Sequence, residues 1–349
     1  MTKDGGFKKV VRRHAEQTGQ RYTEAKLELE GLDARMNHRP AGTRIVEHLR
    51  DRYGIDAVGA TQLSQHVDYV LRIDRNDGDP WVARVFPAAR PVIGAEGDAA
   101  ILRFLAQHNY PAERLAADDA VSEVDGSRVL VTRYVPNATP FAPERWAETM
   151  GDLLGRLHVL PLDESGNRPG GAEGGDPGRE GSPRQDLLAA LAFLDSVDTK
   201  VAPADREPYE GLRERVRSGD AGEGLPSALV HGNFLAGDPD HAMASDDGPV
   251  VVNWKGSGRG PRLVDLGWVL WGCWTVDDVR GVLNAYRRHV TLTDEELDRL
   301  EAVMFVRPLY LTCFAYRRNI VKGWDEDALG FSNPTHIGEV AAAVRALMT

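Results

Sequence analysis

Leu229-Val-His-Gly-Asn-Phe-Leu-Ala-Gly-Asp238, followed by Pro249-Val-Val-Val-Asn-Trp254, is the stretch on which the reading of this chain turns. Ala228 to Val230 is a short apolar strand that runs into His231 and Gly232. Val250 to Asn253 is a second one, and Asp246-Asp-Gly248 just before it is turn chemistry. The two strands are expected to form one short β-hairpin. Three polar side chains, Asn233, Asp238 and Asn253, stand at the strand ends or in the loop between them.

Working outward, the chain is helical on the C-terminal side from about residue 262. On the N-terminal side, helices are expected at roughly 185–197 and 203–218, and Arg145 to Val159 forms another with Met150, Leu153, Leu154 and Leu157 inward. Residues 161–184, dense in Gly, Pro and charge, read as a mobile excursion. Pro136-Asn-Ala-Thr-Pro140 looks like a hinge. Before it the chain is β-rich. Val67 to Asp74 and Pro80 to Phe86 flank Asn76-Asp-Gly-Asp79, a hairpin signal. Strands follow near Ala120 to Val124 and Arg128 to Val135, after a helix from Gly97 to His108. Ile45, Val46, Leu49 and Tyr53 recur at helical spacing, with Gly54 as the cap. Residues 6–36 read as two short helices, the first basic and the second acidic.

Composition narrows the class. With 349 residues, 42% hydrophobic and 27% charged, the chain has material for two lobes. A formal net charge of -11 argues against nucleic acid and anionic membranes as partners, although Lys8, Lys9, Arg12 and Arg13 make a local basic run. Cys273 and Cys313 have no metal-like spacing. The longest apolar run, near Leu309 to Tyr316, is too short to span a bilayer. A cytoplasmic protein is expected.

The element order, with Trp81-Val-Ala-Arg-Val-Phe86, Gly151-Asp-Leu-Leu-Gly-Arg-Leu-His158, Leu229 to Asp238 and Val250 to Asp265, resembles the aminoglycoside phosphotransferase and choline kinase family over about residues 43–320. The resemblance implies an α+β protein-kinase-like bilobal fold. Its small β-rich N-lobe would occupy 41–136 and its mainly helical C-lobe 137–349, with a helical extension at 1–40. It also implies a small-molecule phosphotransferase that moves phosphate from ATP, with Mg2+, to a substrate hydroxyl. The extension could meet a protein partner.

The family template places a base Asp, a metal Asn five residues later, and a metal Asp on the next strand. Here those places hold Asn233, Asp238 and Asn253. Base and metal Asn look exchanged, and the metal Asp has become its amide. Asn233 can orient a hydroxyl but cannot take its proton. Asp238, followed by Pro239 and Asp240, either lends a carboxylate to a rearranged metal site with Asn253 or caps a solvated turn. Arg84 fills the place of the phosphate-contacting cation on the third strand, with Glu96 or Asp98 as its acidic partner; Arg grips phosphate as a fork. Otherwise Arg84 is a strand residue with a charged tip at the surface. The covering turn, Ser64-Gln-His-Val67, has no glycine run. The resemblance gives His231 and Asp265 the task of organising and bracing the loop.

Two readings therefore stand side by side. One is an ATP-dependent phosphotransferase with a reduced or rearranged site. The other is a pseudokinase, a binding or regulatory module that keeps the shape.

Overall fold

The structure is a computed structural model and describes residues 40–63, 69–86, 92–161, 183–234, 242–255, 257–317 and 333–348. The expected helices at 6–36, the turn Ser64 to Val67, residues 162–182 of the expected excursion, and Asp238 lie outside the described residues. The chain divides into two compact units, Met1–Ala95 with Ala116–Tyr134, and Glu96–Leu115 with Val135–Thr349.

The first unit opens with helix α1 (Gly42–Tyr53), which buries Ile45, Val46 and Leu49. Gly54 ends it at φ 66°, a left-handed position that glycine takes without a Cβ penalty, and its N–H reaches the Arg50 carbonyl at 2.9 Å. Five antiparallel strands follow: β1 (Ala57–Gln62), β2 (Tyr69–Arg75), β3 (Trp81–Phe86), β4 (Val121–Val124) and β5 (Ser127–Arg133), in the spatial order β1-β2-β3-β5-β4. Asn76 to Asp79 closes the β2–β3 hairpin as the sequence suggested. Arg75 clamps that turn through Asp77 at 3.0 Å and lies 4.7 Å over the Trp81 ring. On β3, Trp81, Ala83 and Val85 are buried while Val82 and Arg84 stand on the half-exposed face. Strand β1 has no clear sequence signal, because Ala-Val-Gly-Ala-Thr-Gln alternates weakly; its Ala57–Gly59 irregularity and its edge position fit that composition.

Helix α2 (Val92–Gln107) begins in the first unit and continues into the second. In the second unit it leads to a turn at Tyr110–Glu113 that bridges Val251 in parallel. The remaining helices are α3 (Pro143–His158), α4 (Pro183–Val197), α5 (Arg206–Arg217), α6 (Leu263–Trp271), α7 (Val276–Tyr286), α8 (Asp294–Met304), α9 (Val306–Arg317) and α10 (Pro334–Met348). Helices α3 and α7 cross closely because of Gly151. A Cβ there would lie well inside van der Waals contact with the Val282 carbonyl. Helices α4, α5 and α9 share an apolar core built on Leu194, Tyr209, Leu212 and Leu309. Thr275 with Asp278 and Thr293 with Glu296 form capping boxes that start α7 and α8.

The expected single hairpin is corrected. Strand β6 (Ser227–Val230) pairs with β9 (Gly258–Pro261), and β8 (Gly248–Val251) pairs with β7 (Ala242–Ser245). The Asp246-Asp247 turn folds β8 back on the residues just before it, so β6 takes its ladder from Gly-Arg-Gly-Pro, a segment of low intrinsic strand preference. Cys273 and Cys313 are free and buried. No helix among the described residues is long and apolar enough to cross a membrane.

Candidate catalytic-loop site

All the contacts that define this site lie within the second unit. Strand β6 delivers His231 and Gly232 to the start of the loop, and α6 delivers Asp265 beneath them. The Asp265 carboxylate, fully buried, accepts the His231 N–H at 2.6 Å and the Gly232 N–H at 2.8 Å. Gly232 suits the turn because its φ is 83°, a conformation that side-chain-bearing residues adopt at a cost.

The His231 ring is fixed on both nitrogens. Its Nε2 donates to the Val252 carbonyl at 2.9 Å, and its Nδ1 accepts the Asn233 N–H at 3.3 Å. This assigns the neutral tautomer with the proton on Nε2. The ring packs edge-on to Trp254 at 4.8 Å and Phe234 at 5.7 Å. His231 thus ties the loop to the β8 end and is committed to structure at both ends.

Below Asp265 sits His158, whose Nδ1 is 2.9 Å from the Tyr286 hydroxyl and whose Nε2 lies 3.7 Å from the Asp265 carboxylate. Burial pushes the His158 imidazole below its ordinary pKa of 6.5, against the pull of Asp265. The folded state therefore keeps His158 neutral where an unfolded chain would protonate it. As pH falls below about 6.5 the unfolded state binds the extra proton, and stability drops until the folded pKa is reached, by up to about 1.4 kcal/mol per pH unit. Urea unfolding from pH 7.5 to 5.0 should show this loss, with a shallower slope in His158→Gln. His48 in the first unit is lowered chiefly by burial too, so the comparison between the two proteins isolates His158.

Asn253, two residues past the end of β8, lies in the left-handed region at φ 66°, which Asn and Asp tolerate better than other side-chain residues. Its N–H donates to Glu113 at 2.7 Å, and Glu113 is itself buried. Its Oδ1 is buried with no hydrogen-bond partner among the described residues. Magnesium prefers carboxylate oxygens in an octahedral shell. Among the described residues no three His, Cys, Asp or Glu side chains come together to hold a metal ion, and Asp238 lies outside them. The described residues offer one amide oxygen where the ion needs carboxylate, so they do not fit it by themselves.

Asn233 has a partner that sequence reasoning missed. Arg307 of α9 pairs with the buried Asp186 of α4 at 2.9 Å, and its second terminal nitrogen stands 3.3 Å from Asn233 Oδ1. Glu113, Asp186 and Arg307 were all overlooked. The available signal was a charged residue inside an apolar segment, as in Phe305-Val-Arg-Pro-Leu309, where a buried charge must find a partner. Of the expected cofactor residues, Arg84 sits half-buried on β3 in register with Val70 and Leu130. Glu96 and Asp98 lie on α2 in the other unit, Glu96 exposed and Asp98 buried.

Strand order in the first unit, the mainly helical second unit and the braced His-Gly loop together define a kinase-like fold, and the comparisons agree. The sequence model of the Phosphotransferase enzyme family (APH) matches residues 61–303, and the chain belongs to that family. Among solved structures, the chain is similar to amicoumacin kinase hAmiN in complex with AMP-PNP, Ca2+ and its ligand, at TM-score 0.59 and 12% identity over 90% of this chain and 96% of that one. It is also similar to spectinomycin phosphotransferase APH(9)-Ia in complex with ADP and spectinomycin, at TM-score 0.55 and 12% identity over 89% and 99%. A choline/ethanolamine kinase family protein from Mesorhizobium loti aligns at TM-score 0.52 and 22% identity over 83% and 94%. At these identities the likeness speaks for the fold. No curated protein matches the sequence.

Proposed function

We propose that this chain is a small-molecule phosphotransferase of impaired catalysis, one that binds ATP but passes its terminal phosphate to a substrate hydroxyl slowly or not at all. The observation that carries the reading is the contrast within one loop. Asp265 and His231 hold the backbone of residues 231–233 in place, yet the side chain at the base position is an amide engaged by Arg307. A carboxylate there would accept the hydroxyl's proton, and its loss typically costs on the order of 10²–10⁴ in rate. Phosphoryl transfer depends mainly on positioning and charge neutralisation, so an ordered loop without a base still suits ligand binding. Nucleotide binding is supported by the family membership and by the AMP-PNP and ADP complexes of the similar structures, with Arg84 as the phosphate contact. A cytoplasmic location goes with this reading, and the two buried free thiols accord with it.

A second reading, a pseudokinase serving as a nucleotide-binding or regulatory module, is favoured by the same Arg307 contact. Calorimetric titration with ATP, with and without magnesium, tests both. Saturable binding that magnesium strengthens by less than about tenfold, or 1.4 kcal/mol, is expected. Strong magnesium enhancement with phosphate release would make Asp238 a working metal ligand and the protein an active enzyme. Absence of any ATP heat would remove nucleotide from the proposal.

A further inference from the structure

Position 233 has a determinant that lies outside the loop motif. A guanidinium only donates hydrogen bonds, so the contact at 3.3 Å turns the Asn233 amide oxygen toward Arg307. We propose that Arg307 is a positioning residue for residue 233: it holds the side-chain oxygen away from any acceptor hydroxyl, and it would hold an aspartate at 233 as an ion-pair partner instead of leaving it to act as a base.

Three observations carry this. The Arg307 side chain is 12% exposed and its Asp186 partner 4%, so the guanidinium is anchored from the far side by a buried carboxylate. Gly232, Asp186, Trp268 and Arg307 line one small cavity of about 10 Å3, room for about one water. The Trp268 indole N–H is buried without an acceptor among the described residues, which suits a water in that cavity. The charges also favour an amide. Asp186 pairs with Arg307, and Asn233 joins them without adding a buried charge, whereas an aspartate would add one.

The consequence is that the loss of the base is not a single-residue event. Restoring the carboxylate alone returns a group of the right shape whose ionised form is held by Arg307. Among the described residues, the charged or titratable groups around position 233 include His231 on its own loop, Asp265 on α6, Asp186 on α4 and Arg307 on α9. The first two are engaged with the loop backbone, so the difference made by Arg307 can be read separately.

The test is a carboxyl titration by carbon NMR of Asn233→Asp, with Arg307 present and with Arg307→Gln, which keeps a donor for Asp186. The carboxyl introduced at position 233 should titrate at least about one unit lower when Arg307 is present, as for an aspartate beside an arginine. Should Arg307→Gln fail to fold, the comparison is made in an Asp186→Asn background, with Arg307 present and with Arg307→Met, so that Arg307 is the one charge that differs. Equal midpoints in the paired proteins would overturn the assignment. Loss of ATP turnover or binding in any of them bears on the proposed function alone, because the titration needs no nucleotide.

Discussion

Asp265→Ala is expected to destabilise the second unit by about 2–6 kcal/mol, because it strands two buried backbone N–H groups at about 1–3 kcal/mol each. Both groups, on His231 and Gly232, have the Asp265 carboxylate as their acceptor, and the carboxylate is fully buried. The charge is tolerable inside because it receives two N–H bonds. Asp265→Asn separates shape from charge. Its amide oxygen can accept one N–H, but its NH2 group then faces the other donor, so it should retain only part of the stability. Urea unfolding followed by far-UV circular dichroism gives the size of the effect. Amide exchange at Gly232 localises it, since protection there should fall before that of β5 in the first unit. Unchanged exchange at Gly232 in the alanine variant would show that the loop is held by something other than Asp265.

The parts of this molecule that were legible in the sequence are those whose signals are local. Asn76 to Asp79 announces a hairpin because turn residues sit between two β-branched runs. Gly54 announces a helix end because left-handed backbone suits glycine. The apolar spacing of Met150, Leu153, Leu154 and Leu157 gives α3 its buried face. What could not be read depends on partners far along the chain. Gly258–Pro261 is a strand only because β6 offers it a ladder. The Arg307–Asn233 contact spans 74 residues and the Glu113–Asn253 contact 140, and neither leaves a periodic trace. The same division holds for the site. The His-Gly loop was visible as a pattern, whereas the Asp186–Arg307–Asn233 contacts required the packing of α4 and α9 to be known.

That cluster shapes the other large expected effect, the return of catalysis. Asn233→Asp combined with Asn253→Asp should raise magnesium-dependent ATP hydrolysis by about tenfold over the parent, short of the order of 10²–10⁴ that a free base commonly supplies, because Arg307 still holds the carboxylate. The second change does not strain the backbone: position 253 has φ 66°, which Asp tolerates as Asn does. An aspartate at position 253 supplies the carboxylate oxygen that the amide withholds from a divalent cation. The gain should therefore require magnesium, and Asn253→Asp alone should raise magnesium dependence more than turnover. Adding Arg307→Gln releases the restored carboxylate at position 233 from its ion pair and should increase the rate by about a further tenfold, the scale set by a base whose pKa is no longer depressed by one or more units. Steady-state phosphate release, with and without magnesium, measures each step. If the protein with all three substitutions binds ATP yet hydrolyses it no faster than the parent, positions 233, 253 and 307 are not what limits turnover. The cause would then lie in the first unit, with Arg84 on β3 the first residue to exchange for lysine.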